Sequence, residues 1–174
     1  MIQPWELSHR ADRRALPLAD RHYNRQSPGS PQFVPPGRCL VLLTEAADAL
    51  WVTSYPFAEW VRHRWAGALV NSLFRRESGT TASTLIRAAC AATRAVWEPP
   101  PLGMVTFIDP RVTRPTMVRG VPVVGWTYMQ AGFRPDGETE GGLPAFRLWP
   151  EDFPAPLPAR PFGGQGDLFA EEAS

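Results

Sequence analysis

The stretch from Ala68 to Asp109 leaves this chain few folds to choose from. It opens with Ala68-Leu69-Val70-Asn71-Ser72-Leu73-Phe74, whose β-branched and aromatic residues predict a strand, although their alternation is imperfect. A polar run follows, Arg75-Arg76-Glu77-Ser78-Gly79-Thr80-Thr81-Ala82-Ser83. From Thr84 onward Leu85, Ile86, Ala88, Ala89, Ala92, Val96 and Trp97 recur every three or four positions, with Arg87 and Arg94 left to solvent. That spacing predicts an amphipathic helix of about four turns. Pro99-Pro100-Pro101 ends it, because proline lacks the amide hydrogen and clashes with the preceding turn. Leu102 to Ile108 predicts a second strand, closed by Asp109-Pro110. Strand, helix and strand in this order form a crossover unit, which puts both strands in one sheet and allows them to run parallel.

The first turn of the central helix presents unpaired amide hydrogens and the positive end of the helix dipole. Hydroxyls from Ser78, Thr80, Thr81 and Ser83 surround it, so an anionic ligand would fit there. The same hydroxyls would serve equally well as helix caps. Neither a dinucleotide fingerprint nor a P-loop is present, so the spacing leaves the ligand class open.

At 174 residues the chain is most simply one domain with a real core. Its net charge of +1 means that any nucleic-acid partner would have to be held by a local patch. Cys39 and Cys90 lie in apolar surroundings without metal-ligand spacing, which predicts buried free thiols and fits a reducing compartment. No apolar run is long enough to span a membrane and the first residues are not a secretory signal, so no membrane association is expected and cytoplasmic residence is the default.

Residues 1–21 carry Arg10, Arg13, Arg14 and Arg21 among leucines and predict a basic arm or short helix. His22-Tyr23-Asn24-Arg25-Gln26-Ser27 is a polar aromatic loop that could stack a nucleobase, with Arg25 on phosphate, or simply be a capped surface turn. Arg38 to Thr44 and Ala49 to Tyr55 predict a hairpin. The connection after it brings Arg62, His63, Arg64 and Trp65 together, either facing nucleic acid or packed as an ordinary connector. Arg111 to Arg119 reads as a loop or irregular lid, Gly125 to Ala131 as a short helix, and Leu143 to Trp149 as a final strand. From 150 to 174 prolines and glycines predict a flexible tail, ending in Gln165-Gly166-Asp167-Leu168-Phe169.

The hairpin, the strand-turn-helix-strand unit and Tyr128-Met129-Gln130-Ala131-Gly132-Phe133 together resemble the GCN5-related N-acetyltransferase (GNAT) fold. This implies an α/β (α+β) domain over residues 22–149, a mixed central sheet flanked by helices. In that family the turn before the central helix cradles the pyrophosphate of acetyl-CoA, and a tyrosine at the position of Tyr128 lies near the thioester sulfur. The resemblance therefore implies acetyl-CoA or a related acyl-CoA, held by Arg75, Arg76, Ser78, Gly79, Thr80, Thr81 and Ser83. This turn lacks the second small residue of the family's loop.

His22-Tyr23, Phe74-Arg75-Arg76-Glu77, Ala82-Ser83-Thr84-Leu85-Ile86 and Gly103-Met104-Val105-Thr106-Phe107-Ile108-Asp109 further resemble the Mom-like proteins of phages. Those are GNAT-like enzymes that add a carbamoylmethyl group at N6 of adenine in DNA and protect it from restriction. The resemblance implies DNA as partner, with Arg25, Arg62, Arg64 and Trp65 as candidate contacts. It implies a phage-infected or prophage-bearing bacterial host. Tyr128 would stabilise the departing sulfur, Asp109 would orient the amine or accept a proton, and His22 and Tyr23 would position the base. The pentapeptide resembles the peptide by which bacterial proteins dock on the replicative sliding clamp, with Gln165 and Asp167 polar and Leu168 and Phe169 filling a pocket. His22, His63 and Asp109 carry no recognised metal signature, so no metal site is assigned and the need for a metal stays open. Two other functions compete: acetylation of a small-molecule or protein amine, and non-enzymatic clamp-associated binding.

Overall fold

In this computed structural model, which describes residues 2–23, 25, 27–34 and 36–163, the chain forms one seven-stranded sheet and a separate two-stranded hairpin. In chain order the elements are β1 (Trp5–Leu7), α1 (Leu16–Asp20), β2 (Arg38–Thr44), β3 (Ala49–Tyr55), β4 (Leu69–Arg76), α2 (Ala82–Val96) and β5 (Met104–Phe107). Then follow β6 (Thr116–Val118), β7 (Val121–Val123), α3 (Trp126–Gln130), β8 (Arg134–Glu138) and β9 (Pro144–Leu148). The order across the sheet is β1-β2-β3-β4-β5-β9-β8. Every neighbouring pair is antiparallel except β4 and β5, which the α2 crossover makes parallel.

Both faces of the sheet are covered, which explains why β2 is a near-continuous apolar run. Leu40 and Leu42 face α2 and join the larger core with Trp5, Trp51, Leu69, Met104 and Phe133. Val41 and Leu43 face the other way and pack with Leu18, Ala19, Val52 and Leu73. Most of the predicted helical stripe is buried: Leu85, Ile86, Ala88, Ala89 and Ala92 are inaccessible, whereas Val96 at the helix end is exposed and Trp97 is its extended C-cap. The Trp5 indole donates to the Leu85 carbonyl at 2.9 Å.

One irregularity decides what happens at the centre. In the β3–β4 ladder Val52 pairs with Leu73 but Thr53 pairs with Asn71, so Ser72 is an extra residue, a β-bulge. The bulge reverses the facing of β4. Leu69 and Asn71 point to the α2 side, whereas Leu73 points to the opposite core and Phe74 returns to the first. This explains the imperfect alternation of residues 68–74.

Several segments depart from the sequence expectation. Of the two readings of residues 1–21, arm or short helix, the helix is present as α1, which buries Leu18 and Ala19, while β1, which neither reading included, extends the sheet. Residues 111–119 are not an irregular lid, since their second half begins the β6–β7 hairpin. The edge strand β8 escaped notice because Arg134-Pro135-Asp136-Gly137-Glu138 has no apolar period. The C-terminal tail begins later than residue 150. Phe153 is buried in the main core, Arg94 donates to the carbonyls of Phe153 and Pro154, and Arg160 exchanges backbone bonds with Trp5 and Leu7. Prolines here make an extended strap over α2 and β1. Gln165, Asp167, Leu168 and Phe169 lie outside the described residues.

Candidate active site

β4 and β5 are paired only through Leu69 with Met104 and Val70 with Val105. Beyond that point the strands part. Across the gap, side-chain bonds take the place of the ladder: Thr106 Oγ1 donates to the backbone carbonyl of Asn71 at 3.4 Å and to its Oδ1 at 3.3 Å. The gap opens into a cleft of about 180 Å³ walled by β4, β5, the hairpin base, the start of α3, and His22 and Tyr23.

Asn71 is the polar centre of this cleft, and it is buried. Its Nδ2 donates to the carbonyls of Val52 at 3.1 Å and Leu73 at 2.9 Å, bracketing the bulge. Its Oδ1 accepts from the Tyr128 hydroxyl at 2.6 Å. Tyr128 is brought there by α3, whose entry at Gly125 (φ +77°) is possible only without a side chain, since a Cβ would come within 2.3 Å of the Phe146 ring. Burial pushes the Tyr128 phenol well above its ordinary pKa. It therefore keeps its proton, and Thr106 remains on Asn71 Oδ1 if the phenol turns toward a ligand.

Opposite, the His22 and Tyr23 rings stack with centroids 4.4 Å apart. The Tyr23 hydroxyl donates to the Phe107 carbonyl at 3.4 Å, and its pKa is also raised by burial. Among the cleft-lining residues there is no carboxylate, and His22 is the one whose side-chain type titrates near neutrality. The structure thus brings His22, Tyr23 and Tyr128 to one cleft. Asp109 stands beside Tyr23 without lining the cleft itself. Both Asp109 oxygens are held by Arg111, at 2.9 and 2.8 Å, and this pairing lowers its pKa. Asp109 also accepts from the Arg111 amide at 2.9 Å, so it acts as a turn-forming residue and is a poor proton acceptor.

The turn before α2 is mostly closed on itself. Arg75 donates to Glu77 at 2.9 Å and to the Arg21 carbonyl at 2.7 Å, while Arg76 donates to the carbonyls of Thr80 at 2.6 Å and Gly79 at 3.1 Å. Ser78 donates to Asp48 at 2.9 Å, and the Thr81 hydroxyl goes to Thr84 at 2.8 Å. Arg75, Arg76 and Ser78 therefore shape the turn, a correction to their assignment as direct phosphate ligands. What remains for an anion is backbone: Thr81 is the N-cap without a side-chain cap bond, so the amides of the first turn, including that of Ser83, have no side-chain acceptor. The Asp48 carboxylate beside Gly79 opposes an anion, while Arg76 offsets part of its charge. The fit to a phosphate is thus through α2 amides rather than through a glycine-rich cradle.

The candidate DNA contacts divide. Arg25 is almost enclosed: it binds Asp20 at 2.8 Å and the carbonyls of Gln32 and Ser30, so it builds the 20–32 loop and is not a phosphate ligand. Trp65 is buried at 2% exposure with its indole on Asp136 at 2.8 Å, so it is core and not a nucleic-acid surface. Arg64 lies over the Trp65 ring and binds Asp136, yet stays largely exposed. Arg62 is exposed and forms no ion pair with a described residue. His63 packs edge-on against Phe107 at 5.3 Å, which joins this connector to the cleft wall.

Asn71, Thr106 and Arg114 were missed from the sequence as cleft residues. Asn71 carried a signal, a lone amide at a core-facing strand position. Among the described residues no cluster of three or more His, Cys, Asp or Glu could hold a metal ion, and no helix is long and apolar enough to cross a membrane. Comparison of the chain with family models, with curated proteins and with solved structures found no match.

Proposed function

We propose that this chain is a GNAT-like transferase that modifies the N6 amino group of adenine in DNA with an acyl-derived group and so protects phage DNA from restriction. Transfer from a thioester alone gives an N6-acyl product, and a carbamoylmethyl group, joined through a methylene carbon, would need a further step. The observation that carries the reading is the cleft where the parallel strands β4 and β5 part, with a protonated tyrosine on one wall and a stacked His-Tyr pair on the other. The sheet order, with its one parallel pair wrapped around the central helix, supports the GNAT-like part.

An acyl-CoA would supply the activated group, and the α2 amides are the donors that would hold its phosphates. The chain's own residues divide the remaining work. Asn71 holds the bulge and the phenol in position. Tyr128, kept protonated by burial, is the hydrogen-bond donor available to stabilise a departing thiolate. The stacked Tyr23 and His22 rings offer a face for a purine, and His22 is the candidate to take a proton from the amine. An adenine can reach this cleft only out of the stack, as a flipped or single-stranded base.

The test is mass spectrometry of nucleosides from DNA co-expressed with the protein, for wild type, Tyr128→Phe and His22→Ala, with folding checked by circular dichroism. A new adenine mass should appear with wild type and fall at least about tenfold in each variant. Unmodified DNA from a folded protein that binds acyl-CoA would remove DNA as the acceptor and leave a small-molecule or protein amine.

A further inference from the structure

The β6–β7 hairpin has no role in the cleft chemistry, yet it rises from the cleft rim. Thr113, Arg114, Thr116 and Val123 line the cleft, and the chain passes from β7 into Gly125 and α3. Three features set it apart. No acidic residue occurs from 110 to 135, while Arg111, Arg114 and Arg119 all fall in the hairpin and its approach. Arg111 is neutralised by Asp109, but neither Arg114 nor Arg119 forms an ion pair with a described residue. Met117, Val121 and Val112 are 63%, 59% and 57% exposed, an unusual set on one small element.

The tip is also costly for its residue. Arg119 and Gly120 form the two-residue turn with φ of +48° and +79°, a left-handed pair for which Asn-Gly or Asp-Gly is the ordinary choice. An arginine there is not explained by the turn.

We propose that the hairpin is a DNA-contacting wedge: Arg114 and Arg119 take backbone phosphates flanking the base in the cleft, and Val121, on the hairpin face that carries the cleft-lining Thr116 and Val123, covers the step from which that base has left. The inference rests on DNA being the acceptor. Duplex DNA suits the surface because it offers phosphates at regular spacing with apolar base faces between them once a step is opened. Extrusion of a base leaves a gap in the stack, and apolar side chains inserted there hold the duplex open.

The test is fluorescence anisotropy of a labelled duplex of about 20 base pairs, titrated with the full chain from low to moderate salt. Arg114→Ala with Arg119→Gly should weaken binding at least about tenfold and make the log-log salt slope shallower by about two, near one for each phosphate that is no longer neutralised. Glycine suits the turn, so the variant should melt like wild type. Val121→Ala should leave the slope unchanged but reduce the fluorescence rise of 2-aminopurine placed at the target base, whereas Met117→Ala, on the opposite face of the hairpin, should leave both unchanged. Wild-type affinity and slope in the arginine variant would overturn the wedge while leaving DNA as acceptor. Loss of coenzyme A binding in that variant, with DNA binding intact, would overturn it in favour of a cofactor lid. Absence of DNA binding by the wild-type chain would sink both the wedge and the DNA reading.

Discussion

In the turn between β4 and α2, Arg75 and Arg76 have their donors on Glu77 and on the carbonyls of Arg21, Gly79 and Thr80. In the β6–β7 hairpin, Arg114 and Arg119 make no ion pair with a described residue, and Arg119 is exposed at the tip. The residue type is the same and the neighbourhoods decide opposite roles. The first pair works as internal bolts, converting a polar nine-residue run into a fixed entry to α2. The second pair leaves a positive field at the rim of the cleft, held at a short range by a tight turn. Charge on a sequence therefore points to a ligand only where carboxylates and carbonyls do not reach it first.

The largest effect that would separate the two regions is on stability. Gly79 has φ +73°, and a Cβ there would stand 2.6 Å from an Asp48 carboxylate oxygen. Gly79→Ala should cost about 2–3 kcal/mol, combining the left-handed penalty with displacement of Asp48 from Ser78 and Thr44. Chemical denaturation reads this directly. Wild-type stability would mean that the turn is loose and its arginines free to swing onto a ligand. Next in size, Arg76→Ala should cost about 1 kcal/mol through two lost bonds to carbonyls, whereas Arg114→Ala should stay within about 0.5 kcal/mol. Equal costs for the two would erase the distinction between bolt and open cation.

Much of the fold was legible because its signals are local. The β2 and β3 strands fall at Arg38–Thr44 and Ala49–Tyr55 as their apolar content predicts, and the helical period and triple proline bracket α2. The bulge at Ser72 was legible only as poor alternation, because a bulge is defined by its partner strand. The site was less legible, and for a related reason. Tyr128, His22 and Tyr23 stand on separate elements that do converge, but Asp109 was lost to Arg111 and Trp65 to the core. Each of those outcomes depends on which neighbour arrives, two residues along for Asp109 and 71 residues along for Trp65. Arg114 was passed over because nothing in a stretch rich in arginine and proline announces a hairpin apart from Arg119-Gly120.

The smallest expected effect lies where the connector before β4 meets the cleft wall. His63 packs on Phe107 and Trp65, and its Nδ1 accepts the Trp65 amide at 3.2 Å. Burial holds its pKa below the ordinary 6.5. The unfolded chain therefore binds this proton more readily than the folded one, so the contribution is fully present above about pH 6.5 and is lost as pH falls toward the lowered folded value. Glu77 does not blur this window: Arg21, then Arg75, hold it at about 2, so its contribution begins to fade only below its ordinary 4.5. Asparagine can accept the same amide in a tight turn without titrating. In His63→Asn the decline of melting temperature between about pH 7 and pH 5 should flatten, by the equivalent of less than about 1 kcal/mol. An unchanged decline would show that protonation of His63 leaves the Phe107 wall intact. The connector would then be a bystander to the cleft.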